Sequence, residues 1–168
     1  MDGKEGSPTM IDIRFPTALQ IMLSLALAEQ QTVSHLSSSQ LAESLGANPS
    51  FVRKLLVPLV QNELLRSQMG KAGGVRLARP AGEITLRDIY RAVVADTKIW
   101  APRTGIPHRC VVSSNVQGYF EELIDDAQES ILTMLGQRTL LQALTELERR
   151  DSAKRPASKV RPSAQNQR

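Results

Sequence analysis

One cysteine, Cys110, stands in 168 residues. A disulfide within the chain is impossible, so a secreted, disulfide-stapled scaffold is excluded and a reducing cytoplasm is the expected compartment. Aromatic residues are almost as scarce, at 4% against 41% hydrophobic residues in all. That balance disfavours a β-sandwich and points to a helical core of Leu and Ala. Long apolar runs are missing too. The longest, near Ile21 to Ala28, falls well short of the roughly 20 residues that span a bilayer. The opening Met1-Asp2-Gly3-Lys4-Glu5-Gly6 lacks the apolar centre of a signal peptide. No contact with a membrane is expected. There is no P-loop, dinucleotide fingerprint, His-Glu-x-x-His or Gly-x-Ser-x-Gly in the chain, so an enzyme is not expected. Two histidines, His35 and His108, are too few and too far apart for a metal site.

Charge is present and unevenly spread. The net formal charge is +4, but residues 48–79 carry Arg53, Lys54, Arg66, Lys71, Arg76 and Arg79 against Glu63 alone. Residues 115–148 carry Arg138 against Glu121, Glu122, Asp125, Asp126, Glu129, Glu146 and Glu148. A basic first half and an acidic later helix suggest one face for phosphate and another kept away from it.

The pattern along the chain predicts a mainly α fold with a small β-hairpin. Residues 1–9 are polar and Gly/Pro-containing and read as disordered. From Thr17, Leu19 to Leu27 form a helix apolar on nearly all sides, ending near Gln30, which must be buried as the central beam. Ser37-Ser38-Ser39 offers an N-cap for a short helix that stops at Gly46. Asn48 caps a second, with Pro49 at its first position. Pro58 inside it predicts a kink or an early end. Short alternating runs at 64–68 and 75–78 flank Gly70, Gly73 and Gly74, giving a hairpin with a tip lacking bulk. Thr85 and Asp88 cap a further helix. A loop over 97–114 precedes a long helix, Gly136 breaks it, and Thr139 to Leu147 forms a short terminal helix. The resulting divisions are a disordered 1–9, a DNA-binding domain over 10–96, a sensor or effector loop over 97–114, dimerisation helices over 115–150 and a disordered basic tail over 151–168.

Two short helices joined by a tight turn and followed by a glycine-tipped hairpin have the order of a winged helix-turn-helix. The major groove is wide enough to admit the second helix. Its leading residues Asn48, Ser50, Phe51, Arg53 and Lys54 are the expected base and backbone contacts. Ser38, Ser39 and Gln40 open the preceding helix, where free N–H groups and hydroxyls can clamp a phosphate. In the hairpin, Lys71 and Arg76 can follow the backbone toward the minor groove, and Gly73 permits close approach. Double-stranded DNA is the expected partner. The alternatives are a winged-helix interaction module that does not touch DNA, and a regulator answering to a small ligand.

The stretch Leu41 to Leu56, the wing Gly70 to Pro80, the helix Ile84 to Val93 and the Thr139-Leu140 step resemble the Rrf2 family of bacterial winged-helix regulators, the IscR-, NsrR- and CymR-like proteins. The likeness runs from about Ile11 to Leu147. It implies a dimeric transcription factor, often a repressor, on a pseudo-palindromic operator. Cluster-binding members carry three cysteines in the loop before the long helix; here Cys110 is alone, which implies the cluster-free, single-cysteine branch. No cofactor is therefore expected. Cys110 is either a redox switch, with a thiolate favoured by Arg109, His108 and the nearby helix start, or a small side chain packing the loop down. The loop could instead close over an unknown small effector, with Tyr90, Ile99 and Trp100 as an apolar wall, and core packing explains these three side chains equally well.

Val116, Phe120, Leu123, Ala127, Ile131 and Met134 recur at helical spacing and are the expected homodimer seam. About 22 residues at 1.5 Å each span roughly 33 Å, close to the one DNA turn that separates the two reading helices of a dimer. Protein purified without oxygen is predicted to be colourless. Visible absorption from a brown solution would show a cluster and overturn the single-cysteine reading.

Overall fold

A computed structural model describes residues 12–70, 73–94, 98–101, 103, 105–107 and 109–154. The expected disorder at 1–9, most of the tail, Lys71 and His108 lie outside these residues. The order is α1 (Arg14–Gln30), α2 (Ser38–Leu45), α3 (Pro49–Gln61), β1 (Leu65–Gln68), β2 (Gly74–Leu77), α4 (Leu86–Val94), α5 (Val111–Gly136) and α6 (Leu140–Lys154). The fold class is as expected: six helices around one antiparallel hairpin.

Helix α1 is the beam. Ala18, Ile21, Met22, Leu25, Ala26 and Ala28 are buried, and α2, α3, β2, α4 and α6 all pack on it. Val52, Leu55 and Leu59 of α3, Ile89 and Val93 of α4, and Leu140 and Leu144 of α6 complete one continuous core. No polar or charged residue is among the buried ones described. Burial at about 25 cal/mol per Å² of apolar surface is the main force holding these elements together.

Local chemistry sets the helix ends. In α2 the Ser37 hydroxyl accepts from the Gln40 N–H and Gln40 Oε1 accepts from the Ser37 N–H, a reciprocal capping box. Asn48 Oδ1 accepts from the Ser50 and Phe51 N–H groups at the start of α3. Thr85 and Asp88 make the same reciprocal pair ahead of α4. Three helices stop alike. Thr32, Gly46 and Glu63 adopt φ of 62°, 58° and 56°, and each donates its N–H to the carbonyl three residues back while the next residue reaches five back. This is a Schellman termination, in which glycine is the residue of least strain.

The hairpin pairs Leu65 with Leu77, Arg66 with Arg76, Ser67 with Val75 and Gln68 with Gly74. Leu36 adds a third short edge through two hydrogen bonds with Val75, of 2.9 and 3.1 Å. A Cβ on Gly74 would lie 2.6 Å from the Leu36 carbonyl oxygen, so this glycine is what lets the edge close. At the other end, Leu86 donates to the Arg138 carbonyl and Leu140 to the Ile84 carbonyl, at 2.9 and 2.8 Å. These bonds clasp the α5–α6 turn to the domain.

Several boundaries differ from the sequence reading. Helix α1 starts at Arg14 rather than Thr17, its first free N–H taken by Asp12 Oδ1 at 2.9 Å. Helix α3 does not end early at Pro58 but continues to Gln61. The long helix begins at Val111, so four residues assigned to the loop are helical and its length is 26 residues, not 22. Helix α6 runs to Lys154 and takes the first residues of the presumed tail.

Since only glycine holds a left-handed φ without strain, Thr32→Gly and Glu63→Gly should each stabilise the domain, by roughly 0.5–1 kcal/mol. Urea unfolding checks this, with Gly46→Ala as the opposite change, expected to destabilise.

Candidate nucleic-acid interface and the cysteine loop

Helix α3 buries one face and leaves the other in solvent. Val52, Leu55, Leu56 and Leu59 point inward, while Asn48, Ser50, Arg53 and Lys54 are exposed. No acidic residue lies on this helix. Between α3 and the hairpin runs a groove of about 520 Å³, lined on one side by Arg53 and Val57 and on the other by Ser67, Gly70, Gly73 and Gly74, with Ser38 at its end. Ser38, Arg53 and Gly73 are thus brought together from α2, α3 and the wing. Ser39, Gln40, Asn48, Ser50 and Lys54 lie exposed on the same two helices.

Four expectations change in detail. Phe51 is half-buried and packs against the core, so only part of its ring faces out. The Gln40 carbonyl oxygen is taken by the capping box, so this side chain fixes the start of α2. A Cβ on Gly73 would sit 2.4 Å from the Gln68 carbonyl oxygen; glycine is required there by the tightness of the tip itself. Arg76 does not line the α3 groove. It stands out from β2 directly across from Arg66 and borders the space beside the end of α1.

Arg66 was missed in the sequence. Two like charges facing each other across strands are unfavourable unless an anion sits between or beside them. The alternation Leu65-Arg66 against Val75-Arg76-Leu77 carried the signal, but only the strand register exposes it.

Cys110 is exposed and occupies the N-cap of α5. Ser113 Oγ accepts from the Arg109 and Cys110 N–H groups at 2.9 and 3.0 Å and lies 3.5 Å from Cys110 Sγ. The thiol is held below its usual pKa, first by the Ser113 hydroxyl, then by the backbone N–H groups of Ser113 and Val112 at the helix start. The expected help from Arg109 is not among the causes, and the reading of Cys110 as a side chain packed inward does not hold in the single chain. Beside it, Arg103, Ile106, Val116, Gln117 and Phe120 line a groove of about 470 Å³. Lys98 Nζ lies 3.3 Å from Asp125 Oδ1, tying the loop back to α5. Tyr90 is no wall for this loop: its ring meets Phe15 edge-on, with centroids 5.3 Å apart. Trp100 is half exposed.

Helix α5 has two apolar faces. Ile124, Leu132 and Leu135 are buried against the chain's own domain. Of the expected seam, Val116, Phe120, Ala127 and Ile131 are half-buried and Leu123 and Met134 are 44% and 42% exposed; Ile131 also touches the core. Val112 and Tyr119, 65% and 68% exposed, extend the same stripe one turn further.

Residues 11–146 match the family model Rrf2, described as an iron-dependent transcriptional regulator. YwnA of Bacillus subtilis, named as an HTH-type transcriptional regulator, is 28% identical over 138 residues, covering 82% of this chain and 99% of YwnA. Among solved structures, IscR of T. potens superposes with a TM-score of 0.62 at 20% identity, covering 90% of this chain and 95% of IscR. CymR, the global cysteine regulator of B. subtilis, gives 0.57 at 20%, covering 81% and 96%. The word iron calls for a test of the donors. Among the described residues no group of three His, Cys, Asp or Glu could hold a metal ion, and the groove beside Cys110 is lined by apolar, cationic and neutral polar side chains with no second thiol, imidazole or carboxylate. This set does not fit a cluster, which takes several thiolates.

A thiol stabilised as its anion reacts with iodoacetamide at lower pH than free cysteine, whose pKa is about 8.5. The Cys110 alkylation profile should therefore be shifted to lower pH, and Ser113→Ala should move it back up.

Proposed function

Because the chain belongs to the Rrf2 family of transcriptional regulators, we propose that it binds duplex DNA as a cytoplasmic homodimer, occupies a pseudo-palindromic operator and acts there as a repressor. The observation that carries this is the groove formed by α3 and the wing, with Ser38 and Arg53 in it and no acid on the helix that walls it. In this reading α3 enters the major groove, Asn48 and Pro49 fix its angle of entry, and Ser50, Arg53 and Lys54 meet base edges and backbone. The first N–H groups of α2, beside Ser38 and Ser39, receive a phosphate. Gly73 keeps the wing thin, and Lys71, with Arg76 and Arg66 on the outer face, supplies cations to the adjacent phosphates.

The dimer follows from α5. Its inner face is anchored on α4, while Val112, Tyr119, Leu123 and Met134 of the outer stripe stand exposed and Val116, Phe120 and Ala127 between them are only partly covered by their own chain. At 26 residues the helix is about 39 Å long, sufficient to hold two reading helices about one DNA turn apart. The acids Glu122, Asp125, Asp126 and Glu129 lie on this helix and not on the basic half, which keeps them off the phosphates. The exposed, anion-stabilised Cys110 at the loop suits a thiol switch. Oxidation to the sulfenate, or a disulfide to Cys110 of the partner subunit with a peroxide as oxidant, would alter the start of the dimer helix.

Binding to operator DNA should weaken steeply with salt, since each phosphate contact contributes about −0.9 to the slope of log K against log salt. Replacing both Arg53 and Lys54 by Ala should reduce that slope by one to two contacts, read by fluorescence anisotropy. Leu123→Asp should leave a folded monomer that no longer binds specifically. A dimer mass unchanged by Leu123→Asp would refute the seam, and a protein that ignores every duplex at low salt would favour an interaction module.

A further inference from the structure

We propose that the cleft between the C-terminal end of α1 and strand β2 binds a small zwitterion, an α-amino acid or a metabolite with the same head group. The cleft holds about 380 Å³, within the range of small-ligand sites. Its apolar floor comes from Leu25, Ala28 and Leu77, and its polar rim from Glu29, His35 and Arg76.

Both charges on that rim stand where the fold itself opposes them. Glu29 lies in the last turn of α1, where the helix presents its negative end and a carboxylate is disfavoured. Arg76 faces Arg66 directly across the hairpin, a like-charge pair that costs stability. Neither has an ion pair or side-chain hydrogen bond among the described residues, although both border the same cleft. His35 lines the same cleft, and its Nδ1 is shut off from solvent with no hydrogen-bond partner among the described residues; such an atom calls for a ligand or an ordered water. An ammonium group neutralises Glu29, a carboxylate neutralises Arg76 and engages His35, and the side chain covers the apolar floor. One molecule thereby relieves all three. A ligand with only one charge would leave the other uncompensated.

The cleft continues past Arg76 into a second space of about 460 Å³ bordered by Arg79 and Gly82. Arg79, whose Nη2 lies 4.0 Å from Asp88 Oδ2, has its Nε buried with no hydrogen-bond partner among the described residues, which leaves a donor for a longer polar side chain. Since the cleft joins α1 to β2, occupancy would brace the wing. Any effect of the ligand on operator affinity rests on the DNA-binding reading above; the binding itself does not.

The test uses the full chain without DNA. Each of the standard L-amino acids is titrated singly by calorimetry and by thermal melting, with hydrogen exchange followed in residues 65–77. At least one should bind saturably, raise the melting temperature and slow exchange in the hairpin. The matching carboxylic acid lacking the amine and the amine lacking the carboxylate should both fail. Glu29→Gln and His35→Ala should each weaken binding about tenfold or more, the effect of losing a charge-assisted partner, while the ligand-free variants unfold cooperatively at melting temperatures no lower than the parent's. No heat and no melting shift with any amino acid at millimolar concentration would overturn the proposal. So would binding that survives both substitutions, or equal binding of the singly charged analogues. None of these outcomes depends on whether the protein binds DNA.

Discussion

Helix α1 carries no charged residue between Arg14 and Glu29, and a helix apolar on so many sides is stable in water only when other elements enclose it. Here α2 and α3 take one side, α4 and α6 others, and β2 crosses near its C-terminal end. Every functional surface is positioned from this enclosure. The α3 face that meets solvent is whatever Val52, Leu55 and Leu59 do not turn inward. The hairpin stands beside α3 because Leu65, Val75 and Leu77 are drawn to the same core. Transfer free energy fixes the orientation of the cationic residues without any of them contributing to the packing.

Precision comes from short-range hydrogen bonding laid over that core. Asn48 and the Ser37–Gln40 pair satisfy N–H groups that would otherwise be orphaned at the starts of α3 and α2. The left-handed ends at Thr32, Gly46 and Glu63 turn the chain sharply after each helix, so that α1, α2 and α3 are joined by only a few residues and cannot drift apart. The α5–α6 turn is tied to the start of α4 by backbone hydrogen bonds on both sides of the Thr85–Thr139 bridge. The N-terminal end of α5 lies at the opposite end of the helix from this joint and is free of it. Cys110 stands at that free end, where the same N–H groups that start the helix also stabilise a thiolate.

What could be read from the sequence was what depends on neighbours along the chain. The caps at Asn48 and Thr85, the stop at Gly46 and the apolar beam rest on local spacing, and all stand in the structure. The helix-turn-helix followed by a hairpin could be read for the same reason. The periodicity of α3 puts Phe51 on its inward side, and the ring is half-buried against the core. Tyr90 could not be assigned between loop wall and core because its partner, Phe15, is remote in sequence; it packs on the core. The early start of α5 was hidden by Ser113 and Ser114, which read as loop; Ser113 instead completes the N-terminal cap. The extension of α6 beyond Leu147 has no apolar signal, being carried by Glu146 with Arg149 and Arg150 on successive turns. The facing of Arg66 and Arg76 is a property of register, which no single strand reveals.

The central claim is that two copies present α3 and the wing to one face of a duplex, and hydroxyl-radical footprinting on DNA upstream of the genes it controls tests it most directly. Two protected tracts related by a dyad, with centres about 10–10.5 base pairs or a multiple of that apart, are the predicted result. A single asymmetric tract, or uniform cleavage at every protein concentration, would contradict the account.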